Sequence, residues 1–150
     1  MFSGIDISAF GGSQIAPATI EAYLATEYRA WGDWPLVLRI GQESHPLASL
    51  YRQEDAKGAA MLTAWNPFSE PREVAENDAA QLRLIGELDR LGFAHQPGNG
   101  ADPTGQWPPE DSRLVLGISL EIAASLGRQF RQNGIVWVAA DAVPLLVLLR

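Results

Sequence analysis

Glu110 has the chemistry of a proton donor or acceptor and a setting that would put it to use. It follows Trp107 and two prolines in the run QWPPED. A carboxylate on a stiffened approach, shielded by an indole, has a raised pKa and can serve as a general acid or base. Three amides, Asn66, Asn77 and Gln132, fall near expected element ends. Each offers a donor and an acceptor with which to orient a polar ligand. Asn66, Asn77, Trp107 and Gln132 are therefore expected to bind a ligand, with Glu110 as the catalytic group. A plainer alternative stands beside each: Glu110 as a solvated loop acid, Asn66 as a turn residue bonded locally, Gln132 serving its own loop. Asp102 is a second carboxylate for acid–base work, although any acidic loop offers such a pair. His95 reads as a strand-end residue half in water. Gly98-Asn99-Gly100 is either a backbone anion nest or a tight turn, with the turn preferred, and it matches no phosphate-binding fingerprint.

The elements that must position these residues follow from periodicity. A first helix is expected over 17–31, with Ile20, Tyr23, Leu24, Tyr28 and Trp31 recurring at helical spacing and Pro17 in the first turn. Residues 35–40 read as a buried strand, Ser44 caps a second helix, and 58–65 form the next strand. In TAWNPFS (63–69) the amide and proline end that strand, and Ser69 starts a long helix over 72–91. Its expected apolar stripe is Ala75, Ala79, Leu82, Ile85 and Leu88. Acids at its start suit the helix dipole, whereas Asn77 is a poor helix residue and is less easily explained. Trp65 alternates away from Asn66 and is expected in the core. Glycines and prolines over 93–112 point to a long irregular loop, and such loops are often functional. A strand at 113–118, a helix at 120–130 stopped by Asn133-Gly134, and an antiparallel hairpin over 134–149 complete the chain.

The fold class expected is α/β or α+β: one mixed sheet of about five to six strands with about four helices packed on it, some crossovers being parallel. The 150 residues suit a single globular domain, with 1–16 a loosely ordered N-terminal segment. Such a chain buries roughly 70% of its unfolded surface and folds without a staple. There is no cysteine, which removes disulfides, thiolate zinc sites and cysteine nucleophiles; two histidines leave little for a metal centre. The net charge is −7, Lys57 is the only lysine, and no basic run exists, so a nucleic-acid surface is not expected. The N-terminal run has neither a basic start nor a continuous apolar core, and 134–149 is interrupted by Asp141 and Pro144. A signal peptide and a membrane span are both disfavoured, and the cytoplasm is the expected location.

TAWNP (63–67) and QNGIVW (132–137), with Thr26 and Tyr28 of ATEYR as a weaker third piece, resemble a bacterial family known as Domain of Unknown Function 3293. The likeness runs from about Ala22 to the C-terminus. It implies a single small cytoplasmic domain and carries no established activity or catalytic residue. WPPEDS departs from the family, which has a shorter link from tryptophan to glutamate. Three functions stay open: a polar small-molecule or catalytic cleft built from the TAWNP strand end, the following helix start and the 93–112 loop; a protein-interaction module using the acidic surface and that loop; and a structural or oligomerising domain joined through the terminal hairpin. No cofactor, oligomeric state or reaction is named by these residues.

Overall fold

The structure is a computed structural model that describes residues 13–150. The elements in chain order are α1 (Pro17–Ala25), β1 (Glu27–Ala30), β2 (Leu36–Leu38), α2 (His45–Glu54), β3 (Ala59–Leu62), a 3-10 turn (Pro67–Ser69), α3 (Val74–Leu91), β4 (Ala94–Ala101), β5 (Glu110–Leu116), α4 (Leu120–Gln129), β6 (Gly134–Val138) and β7 (Pro144–Leu148). The mixed helix-and-strand class and the four helices agree with expectation. The sheet does not: among the described residues it has seven strands, in the order β2-β1-β4-β5-β3-β6-β7. Every pairing among the described residues is antiparallel. Strands joined by a short link, β1–β2, β4–β5 and β6–β7, are neighbours, whereas those joined through a helix, β2–β3, β3–β4 and β5–β6, run in the same direction with other strands between them.

The sheet is curled and carries a hydrophobic core on each face. On one face α2 packs Leu47, Leu50 and Tyr51 against Met61, Leu114, Val136 and Val138. Ser44 caps this helix as expected, accepting from the Leu47 amide at 3.2 Å. On the other face α3 and α4 pack Leu84, Leu88, Ala123 and Leu126 against Ala60, Leu62, Val115 and Ile135. α1 joins the α2 face through Ile20, which meets Leu146 and Leu148 of β7. Ile15, within the segment expected to be loose, is buried in that contact; residues 1–12 of the same segment lie outside the described residues.

Three expectations fail for identifiable reasons. The helix expected over 17–31 stops at Ala25, because residues 27–30 pair with β2 on one side and β4 on the other. Tyr28 and Trp31 fitted a helical period by spacing alone. The stripe of α3 is shifted: Asn77, Ala80, Gln81, Leu84 and Leu88 are buried, while Leu82 is 68% exposed. Two polar residues occupy the buried face, so counting apolar positions selects the wrong one.

The irregular loop over 93–112 is mostly strand. β4 takes Ala94–Ala101, Pro97 included, and only residues 102–109 remain as a connection. In an antiparallel strand a residue's N–H and C=O face the same neighbour. The Pro97 carbonyl accepts from Trp31 N at 3.0 Å, so its missing donor faces β1 just past the last pair, Ala30 with Gly98. Gly98-Asn99-Gly100 is thus neither nest nor turn. A Cβ on Gly98 would lie 2.3 Å from the Arg29 carbonyl oxygen, a backbone atom that cannot step aside. Gly98→Ala is expected to cost about 3 kcal/mol through overpacking, which lowers Tm by roughly 6–12 °C in a domain this size. Gly86 in α3 has nothing within 4 Å of its Cβ position, so Gly86→Ala should stabilise by about 0.5–1 kcal/mol. Thermal melts of the two variants check both signs.

Candidate functional site

The site is built where TAWNPFS leaves the sheet. β3 ends at Leu62, and the next donors must find partners elsewhere. Side chains supply them. Ala64 N donates to Gln81 Oε1 at 3.0 Å, Trp65 N to Thr63 Oγ1 at 3.0 Å, and Asn66 N to Asn77 Oδ1 at 2.8 Å. Thr63 Oγ1 in turn donates to the Asp111 carbonyl of β5 at 2.6 Å. This explains the polar residues on the buried face of α3: Asn77 and Gln81 complete the hydrogen bonding of a strand that has left its ladder.

Asn77 and Asn66 clasp each other. Asn77 Nδ2 donates back to Asn66 Oδ1 at 2.8 Å, and Arg72 N donates to the same oxygen at 3.0 Å. With its oxygen held twice, Asn66 turns its Nδ2 towards Glu110 Oε1, 2.8 Å away. Asn66 has φ 42°, in the left-handed region that asparagine tolerates better than most residues. Phe68 and Ser69 follow at φ 57° and 59°. Ser69 does not cap α3; Glu73 occupies the N-cap position, with no side-chain cap bond. Ser69 Oγ instead bonds Tyr23 OH. Asn133 Nδ2 donates to Tyr23 OH at 3.0 Å and lies 3.4 Å from Ser69 Oγ. Arg150 donates to Asn133 Oδ1 at 3.3 Å and stacks 4.0 Å over the Phe68 ring. The strained turn is therefore pinned from α1, from the start of β6 and from the C-terminus. Asn133 serves this purpose rather than as the helix stop; the positive φ after α4 belongs to Arg131.

Between α1 and the sheet face that it shares with α2 lies a cavity of ≈ 640 Å³. Glu110, Asn66, Trp107 and Gln132 line it; Asn77 does not, being 2% exposed behind Asn66. Gln132 commits its Nε2 to the backbone, donating to the Trp65 and Phe130 carbonyls at 3.3 and 3.2 Å. Trp65 departs from its expected place in the core: it is half-buried and walls the cavity, because strand alternation ends before it. Period two along β5 puts Glu110 and Ser112 on the cavity face, opposite Gly100 and Gly98. Gly100 lines the cavity without a side chain to fill it, whereas the Cβ position of Gly98 is already taken by the Arg29 carbonyl and Met61. Ser112 is 7% exposed and its Oγ has no hydrogen-bond partner.

Burial pushes the Glu110 carboxyl above the ordinary range, and the Asn66 hydrogen bond offsets part of that rise. Asp102 does not join it. Its carboxylate is held low by the amide and hydroxyl of Thr104 and by the Gln106 amide, organising its own turn. His95 also lies elsewhere, its side chain 7% exposed between Asp89 (2.6 Å) and Arg113 Nε (3.0 Å). Among the described residues no cluster of three or more His, Cys, Asp or Glu could hold a metal ion. None of the described helices is long and apolar enough to cross a membrane.

Sequence reasoning passed over Tyr23, Ser69, Asn133 and Ser112. Ser112 follows Glu110 by two on β5, but both fall in the stretch expected to be loop, where strand period does not apply. Tyr23 and Ser69 meet across 46 positions, and no local pattern announces that.

Residues 62–135 match the family described as Protein of unknown function (DUF3293). The matched span includes all of TAWNP, Asn77, Trp107, Glu110 and Gln132, but only the first four residues of QNGIVW and nothing of ATEYR. The resemblance therefore covers the strand end, α3, β4, β5 and α4. No curated protein and no solved structure matches the chain.

Glu110 makes one pH dependence calculable in sign. Its native pKa lies above the unfolded value near 4.5. The native state then keeps a proton that the unfolded chain has lost, so stability falls as pH rises from 4.5 through the native pKa. Glu110→Gln keeps an acceptor for Asn66 and removes this penalty. The variant should melt higher than wild type at pH 7, and the difference should vanish below pH 4.5 in a series of melts.

Proposed function

We propose that the chain binds a small organic molecule in the cavity beneath α1, and that Glu110 exchanges a proton with it. The observation that carries this reading is the Asn77–Asn66–Glu110 relay, which ends on a half-buried carboxylate facing an open cavity. Two side chains, Asn66 and Asn77, are committed to holding that group, and an ordinary surface acid needs neither. The cavity volume falls in the range of roughly 300–1,000 Å³ usual for small-molecule sites.

Asn66 occupies Oε1 of Glu110 and leaves Oε2 for a ligand. A carboxyl with a raised pKa spends more of its time near the balance between acid and base, which is where proton transfer is most effective. Trp65 and Trp107 limit water at the carboxylate, and Gln132 and Ser112 add polar contacts further along the wall. Asn66 and Asn77 act as positioning residues: they orient Glu110 and do not themselves span the ligand. This changes the role expected of Asn77, which reaches the ligand only through its neighbour.

A library of small metabolites screened by thermal shift tests the reading. A ligand at about 100 times its Kd adds about 2.7 kcal/mol, or roughly 5–10 °C of Tm at this chain length. Hits should shift wild type by that amount and Glu110→Ala by less than a third of it. A library without hits, or hits that raise both proteins equally, contradicts the proposal.

A further inference from the structure

The cavity wall has a composition that selects among ligand charges. Among the described residues it contains one carboxylate, Glu110, and no arginine, lysine or histidine. A phosphate, sulfate or carboxylate group entering it would meet no cation and would lie near a like charge. Four aromatic side chains also face the space: Tyr23, Tyr28, Trp65 and Trp107. Aromatic faces carry negative charge density and attract ammonium groups, most strongly where water is displaced. The chain's net charge of −7 favours approach of a cation over longer distances.

A separate observation points the same way. Ser112 is buried on the cavity face with an unpartnered Oγ, beside Glu110 in strand period. A buried hydroxyl left without a partner is unfavourable, and a ligand N–H supplies what it lacks. An ammonium has up to three such donors. One serves Glu110, another can serve Ser112, and the aromatic rings take the carbon skeleton. The floor beyond is apolar, formed by Met61, Val136 and Leu146.

We propose that the ligand of this cavity is an organic cation, a primary or methylated amine on an apolar body, paired with Glu110 and flanked by Trp65 and Trp107. The proposal rests on the reading that the cavity is a small-molecule site and gives that site a substrate class. Neutral molecules with the same body should enter more weakly, and anions should be excluded.

Three probes of one shape and different charge separate the outcomes: phenethylammonium, 2-phenylethanol and 3-phenylpropionate. Each is titrated at pH 7.5 while the indole N–H signals of Trp65 and Trp107 are followed by NMR, assigned with Trp65→Phe and Trp107→Phe. The ammonium should shift both signals at about one-tenth the concentration that the alcohol needs, a factor within reach of one desolvated charge contact. The propionate should leave them in place. Glu110→Gln, which preserves the Asn66 contact, should bring the ammonium and the alcohol to within about twofold of each other. If the alcohol or the propionate binds as well as the ammonium, or the preference survives Glu110→Gln, the cation assignment is overturned while the cavity remains a binding site. If no probe moves either indole, the small-molecule reading falls with it.

Discussion

Every backbone donor that leaves a sheet has to be met by something else, and in this protein that requirement organises the site. β3 ends at Leu62, and the amides of Ala64, Trp65 and Asn66 are met in turn by Gln81, Thr63 and Asn77. Two of these three acceptors come from successive turns of α3, on its buried face. Unsatisfied, each buried amide would cost roughly 1–3 kcal/mol. Satisfied, they fix where the chain runs after the strand and hold Asn66 in a left-handed conformation. The Asn66 amide is then aimed at Glu110, so the position of the carboxylate follows from the hydrogen bonding of a strand end.

The same region concentrates backbone strain. Asn66, Phe68 and Ser69 all have positive φ within four residues, and none is glycine. Strain of this kind, of order 1–3 kcal/mol per residue, persists only where surrounding contacts over-determine it. The Tyr23–Ser69–Asn133–Arg150 cluster and the clasp of Asn77 supply those contacts from four separate parts of the chain. Gly100, opposite Glu110, is a second concession: it weakens β4 as a strand and lines the cavity with no side chain of its own. The other positive-φ residues that are not glycine, Asp55, Arg131 and Ala142, stand singly at the ends of α2 and α4 and in the β6–β7 turn, whereas those of the site follow one another within four positions.

Legibility in the sequence followed the same division. Helix α2, with its serine cap and its leucine and tyrosine face, was readable because every signal there is local. The C-terminal hairpin was readable from two apolar runs and a short link. Glu110, Asn66 and Trp107 stood out because polar and aromatic residues lay at breaks in periodicity. β4 was hidden, since a run such as AHQPGNGA reads as loop unless the partners are known: its proline faces a point where β1 has ended, and its glycines answer to bulk on neighbouring strands. The α3 stripe was misread because Asn77 and Gln81 point inward to serve another segment's backbone. The Ser69–Tyr23 contact had no local sign at all. What escaped was long-range pairing, and what could be read was periodicity and capping.

The carboxyl carbon of Glu110, followed by NMR as a function of pH, tests the central claim most directly. Wild type should titrate above the ordinary glutamate range. In Asn66→Ala, which deletes the hydrogen bond that now holds the pKa down, it should titrate higher still. If Glu110 titrates in the ordinary glutamate range, or does not respond to loss of Asn66, the relay does not position the carboxylate and the assignment of the site is wrong.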